Sequence, residues 1–317
     1  MIDPNLVPQR IVFSRKGFDS TAGGCASPIL NDRMVSLPIP EHNADQRKCT
    51  CHENHRCSEG HLTYADLRSS SDRDEGTRVA DMVVQLSKGK VRDCDCVHLD
   101  PDLRDGLRKS DDIGKPAAFG QDSGAQTELS EIREDDLFLF FGWFRRVVKV
   151  RNTFQFVRGA PNIHAMWGWL QVSKRLNLLT VEGMKEAKGE APSHPHVAHP
   201  NGRSNNFLYL GTGSLSFNER VSRAGAFDTF RPNLQLTDEQ SAIAQASGRI
   251  RTLWCMPAFF RGISMTRIDF GDREHWRDQN GRIVGRAADT YGQEYVLKTE
   301  KRKKEIAGWL DGIFKEM

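Results

Sequence analysis

The segment Asp135-Asp136-Leu137-Phe138-Leu139-Phe140-Phe141-Gly142-Trp143-Phe144-Arg145 constrains the fold more than any other. From Leu137 to Phe141 every position is apolar, with no polar alternation. As a strand it needs cover on both faces, so it reads as the centre of a buried sheet. Asn162 to Val172, carrying Ile163, Met166, Trp167, Trp169 and Leu170, is a second strongly apolar strand. Between them, Arg146–Val150 and Thr153–Val157 read as two short strands joined at Arg151-Asn152. Further strands are expected at Ile11–Phe13, Met34–Ile39, Asn206–Leu210 and Gly292–Leu297. Helical spacing marks residues 77–87, Gln121–Leu129 and Lys301–Met317, and a short helix is expected at Val181–Lys188. The pattern predicts an α+β fold with a β-rich, curved, antiparallel sheet and flanking helices, as one domain over residues 1–317. Its layout is similar to that of small pseudouridine-synthase-like (PUA-like) barrels, an analogy of architecture alone.

A chain of 317 residues can bury a sizeable core. No apolar run approaches the roughly 18 residues that cross a bilayer. Met1-Ile2-Asp3-Pro4 lacks the basic-then-apolar layout of a signal peptide, so a cytoplasmic protein without membrane partners is expected. A net charge of +3 is compatible with nucleic-acid binding. It argues against a protein that coats DNA non-specifically, which would carry a concentrated basic face.

Polar groups concentrate where the first strand ends. Arg15, Lys16, Asp19 and Ser20 follow it directly, Gly17 permits a sharp turn, and a small-residue loop runs to Ser27. Two cations beside closely approachable backbone suit a phosphate, and the alternative is a solvated turn. Residues 41–76 form a polar insert without apolar periodicity. Cys49, Cys51, His52, His55, Cys57 and His61, with Cys94, Cys96 and His98, place sulfur and nitrogen ligands there in two patches. A structural zinc held by Cys49, Cys51 and Cys57 with Cys94 or Cys96 is one reading, and a loop of unligated thiols the other.

His98, Asp100 and Asp102 surround Pro101. A kinked backbone would aim them into one cleft for acid–base work or to hold a divalent ion, whereas Asp100 would otherwise cap a helix starting at Pro101. His194, His196 and His199 alternate with prolines; if extended, His196 points away from its neighbours, which suits acid–base or phosphate roles better than a metal triad. Gln293-Glu294 opens the last strand with an amide and a carboxylate suited to a base edge. Trp143, Trp167, Trp169 and Trp254 would stack on a flipped base or fill the core. Walker, Rossmann and nucleophile-elbow motifs are absent.

Ser14–Ser20, Ser27-Pro28-Ile29 and Ser36-Leu37-Pro38-Ile39-Pro40 together resemble the opening of the third nucleotide-modification-associated domain family. His98-Leu99-Asp100-Pro101-Asp102-Leu103, Asp135–Arg145, Asn162–Val172, Arg251–Pro257 and Gly292–Leu297 extend the resemblance. It implies an enzyme that modifies a nucleobase in DNA or a nucleotide. Arg15 and Lys16 would bind phosphate, Asp19 or Asp100 would act as acid or base, and Gln293 and Glu294 would read the base. Two other readings stand beside it. A non-catalytic reader of modified nucleic acid needs a basic groove and an aromatic pocket. A metal-dependent nucleotide hydrolase needs His98, Asp100 and a distant histidine around one ion.

Overall fold

The computed structural model describes residues 2–41, 62–67, 78–103, 107, 113–122, 129–198, 200, 205–238, 251–261, 277–279, 281–287, 294–315 and 317. Leu137–Val150 forms its longest strand, and Phe138–Phe140 are wholly buried. It is continuous through Arg146–Val150, where two strands were expected. The strand Ile163–Gln171 lies antiparallel along one side of it, followed outward by Ala224–Ala226. On its other side lies the first strand, Arg10–Arg15, in parallel, flanked by the antiparallel last strand, Glu294–Lys298.

The sheet is therefore mixed, not antiparallel, and among the described residues it closes into no barrel. Hairpin reasoning missed the parallel pairing because the chain returns to the sheet only after long excursions. The α+β, β-rich character holds.

The break in the first strand positions the site. Arg15 pairs with Phe141, the chain then leaves the sheet, and it returns as Ser27–Leu30 to pair in parallel with Phe144–Val147 of the same long strand. The loop between is expelled from the sheet edge. Gly17 turns it with φ +89°, and a Cβ there would lie 2.9 Å from Ser36 Oγ. Asn31 and Asp32, both at positive φ, make the expected tight turn back to Arg33–Met34. Met34–Ile39 is not one strand, however; only Arg33–Met34 and Ile39–Pro40 are extended pairs.

A second, three-stranded antiparallel sheet orders Lys174–Asn177, Asn206–Gly211 and Ala117–Asp122. Gln121 and Asp122 belong to it, which corrects the helix expected from Gln121. Residues 118–121 alternate along a ladder with Phe207–Leu210, and that long-range pairing overrides a four-residue spacing. Phe119 drives the two sheets together, with ring centroids 4.9 Å from Phe138 and 5.1 Å from Phe140.

The opposite face of the central sheet is covered by Leu253–Pro257 and by the C-terminal helix, Lys303–Phe314. Trp254 and Trp309 each lie 6.0 Å from Phe13. The helix Val79–Leu86 buries Val79, Met82, Val83 and Leu86, as their spacing implies, and Val181–Glu190 is capped by Thr180 through its bond from Gly183 N. Among the described residues no helix is long and apolar enough to cross a membrane.

Candidate active site

Polar groups from distant segments meet between the two sheets. Lys16, just beyond the first strand, turns onto the face shared with Ser14. Its Nζ donates to Gln121 Oε1 at 2.9 Å, lies 4.6 Å from the Phe119 ring centre and 4.0 Å from Glu294 Oε1. Ser14 Oγ donates to the same Glu294 oxygen at 3.3 Å, its strand partner across the register Ser14–Glu294.

Asp100 stands beside them, buried, at the end of the short pair that joins Val97–His98 to Ile39–Pro40. Its Oδ1 accepts Gly120 N–H at 2.8 Å and His194 Nε2 lies 3.2 Å away. Its Oδ2 lies 3.8 Å from both His98 Nε2 and His196 Nε2. No helix starts at Pro101. Asp102 instead pairs its backbone with Ala118, so the carboxylate of Asp100 is turned inward and not spent on a cap.

The histidine segment is not extended. Pro195–Ala198 is one helical turn, which brings His194 and His196 to the same side and onto Asp100. His196 Nδ1 is held by Asn206 Oδ1 at 2.8 Å. Both rings lie over Gly120: a Cβ there would collide with the His196 ring and sit 2.9 Å from His194 Cε1. His199 lies outside the described residues.

Burial works against charge on Asp100, but the His194 bond outweighs it with the nearby Lys16 and His196, and the carboxyl is held below its usual range. Burial pushes His98 down to about 4 against the opposing pull of Asp100, so its imidazole is neutral at physiological pH. Glu41, at the mouth of the insert, is pushed upward by burial, with His196 opposing. The ligand atoms of His98, Asp100 and His196 lie within 4.8 Å of one another, close enough for these three residues to hold a metal ion.

A small cleft opens beside Asp100, walled by Gly17, Ser36, Pro38, Leu99, Leu103 and Trp167 among others. Trp167 occupies a β-bulge: Phe140 pairs with Gly168 and Phe141 with Met166, leaving Trp167 as the extra residue. Its buried indole N–H has no partner among the described residues.

A family model described as nucleotide modification associated domain 3 matches residues 10–298. The chain belongs to this family. No curated protein and no solved structure gives a match to set beside it.

In this nucleotide modification associated domain, the expected site residues divide. Lys16, His98, Asp100, His196 and Glu294 converge. Arg15 takes the opposite face of the sheet, where it pairs with Asp19 at 3.6 Å and neighbours His164. Asp19 is engaged in its own turn, accepting from Thr21 N and Ala22 N at 2.7 and 2.6 Å. Ser20 is exposed, and Ser27 is buried, accepting Leu37 N–H. Cys94 and Cys96 form no disulfide with one another or with any other described cysteine. Cys49, Cys51, Cys57 and Gln293 lie outside the described residues. Sequence reasoning missed Gly120, Gln121, Asn206 and Glu41. Of these only Gly120 left a trace, as a glycine interrupting an apolar strand.

Proposed function

We propose that this protein is an enzyme that modifies a nucleobase or nucleotide in the cleft beside Asp100. The observation that carries the reading is the convergence of Lys16, His98, Asp100, His196 and Glu294, from four distant parts of the chain, with Asp100 lining a cleft. Membership of a family described by nucleotide modification supports it. Lys16, oriented by Glu294 and Gln121, supplies a cation for a phosphate or a developing oxyanion. The neutral imidazole of His98, backed by ionised Asp100, accepts a proton from an attacking water, hydroxyl or amine. Trp167 offers a ring face for stacking and an unmatched N–H for a base carbonyl.

A reader of modified nucleic acid is favoured by one other feature: Arg251 lies 4.5 Å from the Trp143 ring centre on the opposite face, near Arg15. Turnover separates the two readings.

Calorimetric titration with nucleoside 5′-monophosphates and short single-stranded DNA tests the proposal. Lys16→Ala should weaken binding about 10- to 100-fold whatever the base, the worth of a charged hydrogen bond. Trp167→Phe, which keeps the ring and deletes the N–H, should change the preference among bases. A parent protein that binds neither nucleotide nor DNA overturns the reading.

A further inference from the structure

The bonding around Asp100 leaves one of its oxygens unexplained. Oδ1 accepts the Gly120 N–H and faces His194 Nε2 at 3.2 Å. His194 Nδ1 accepts the backbone N–H of His196 at 3.3 Å, so the His194 proton resides on Nε2 and is donated to Oδ1. Oδ2 receives no hydrogen bond among the described residues, although the side chain is only 4% exposed. Its lone pairs are left for a cation.

What faces Oδ2 sharpens the point. Asn206 Oδ1 lies 2.8 Å from His196 Nδ1 and, as an acceptor, requires the proton there. His196 Nε2 therefore presents its lone pair to Oδ2 at 3.8 Å. His98 Nε2 faces the same oxygen at the same 3.8 Å. Asp100 Oδ2 and His196 Nε2, each on a side chain fixed by partners behind it, thus share one small space with His98 Nε2. Asn206 behind His196, and His194 with Gly120 behind Asp100, are the outer supports that orient metal ligands.

We infer that His98 Nε2, Asp100 Oδ2 and His196 Nε2 hold a divalent first-row transition ion. This deepens the proposed function, because the ion would sit in the same site and take the His98 Nε2 lone pair, so that the attacking group would be activated on the ion in place of proton transfer to His98. Two imidazoles and one carboxylate suit zinc, manganese, iron(II) or cobalt(II) and disfavour magnesium and calcium, which take oxygen ligands. At metal–ligand distances of about 2.1 Å, ligand atoms in one sphere lie about 3 to 4.2 Å apart. The separations here, up to 4.8 Å, close to that by shifts of several tenths of an ångström. Three protein ligands leave positions open for water or a substrate oxygen, and one of the three, Asp100, also lines the cleft. Lys16 lies close enough to oppose a cation, but its charge is shared with Glu294.

Cobalt(II) is the probe, titrated into the full chain after chelator treatment. Visible d–d bands report the ion, and a near-ultraviolet thiolate charge-transfer band identifies any cobalt bound by cysteines instead. One equivalent should bind with d–d bands and no thiolate band. His98→Ala and His196→Ala should each weaken it at least about 100-fold, and Asn206→Ala about 10- to 100-fold. Because His98 is partly exposed, its variant should fold even if His196→Ala does not, and the melting curve of each variant is recorded alongside. Failure to bind cobalt, binding only with the thiolate band, or unchanged affinity in folded His98→Ala overturns the ion site. Nucleotide titration of stripped and cobalt-loaded protein separates the two claims. Binding by both with no cobalt site removes the ion alone, whereas a cobalt site with no nucleotide binding removes the function alone.

Discussion

His194 and Asp100, 94 positions apart, meet at 3.2 Å over a glycine. Gly120 makes the contact possible: its N–H bonds the same Asp100 oxygen, and its bare Cα leaves the space that the rings of His194 and His196 fill.

Gly120→Ala therefore acts on the site without altering any titratable group. The added Cβ must push the His196 ring away, since the facing backbone is locked in a strand paired with Leu208. Nucleotide turnover should fall at least about 10-fold, in line with the loss caused by small misplacements of reacting groups. The fold should survive with a loss of about 1–3 kcal/mol, typical of overpacking. Turnover assays paired with urea denaturation check this, and unchanged turnover would remove His194 and His196 from the site.

His164 lies on the other face of the central sheet and predicts a pH dependence of stability. Its Nδ1 accepts the Trp254 indole N–H at 3.1 Å, and its Nε2 is buried without a partner among the described residues. Burial, reinforced by Arg251 and Arg15, pushes its pKa well below 6.5. The unfolded chain then binds a proton that the folded one refuses. Stability from this group is complete above about pH 6.5 and falls as the pH drops toward the folded value, by up to about 1.4 kcal/mol per pH unit. His164→Gln, which can still accept from Trp254, should flatten that part of the profile. Urea midpoints between pH 7.5 and 5 measure it, and an identical slope in the variant would assign the dependence elsewhere.

Phe138 tests what holds the two sheets together. It is fully buried, 4.9 Å from Phe119 and 5.1 Å from Tyr209 by ring centres. Phe138→Ala should cost about 3–5 kcal/mol through lost burial and the cavity left behind. Phe138→Leu should cost less. A loss below about 1 kcal/mol for the alanine variant would mean that the second sheet is not anchored here.

Much of the secondary structure was legible because its signals are local. The unbroken apolar run from Leu137 to Phe141 requires a doubly covered strand wherever the rest of the chain goes. The spacing of Ile306, Leu310 and Ile313 likewise requires a helix with one buried face. Turns at Asn31-Asp32 and Arg151-Asn152 followed from residues that tolerate positive φ. His98, Asp100 and Asp102 were visible as candidates because they cluster around Pro101, although a helix cap at Asp100 would have explained the same residues.

Tertiary structure alone decided which candidates meet. Arg15 and Lys16 are neighbours in sequence, yet consecutive residues of extended chain face opposite ways, so one reaches His164 and the other Gln121 and Glu294. A single helical turn at Pro195–Ala198 reversed the expected direction of His196. Gln121 lost its helix to pairing with Phe207, a partner supplied from 86 residues away in a ladder no local window contains. Short-range periodicity determines which faces must be buried. It carries no information on which buried faces will find each other, because that choice rests on side-chain packing and hydrogen bonding between segments that are adjacent only once the chain has folded.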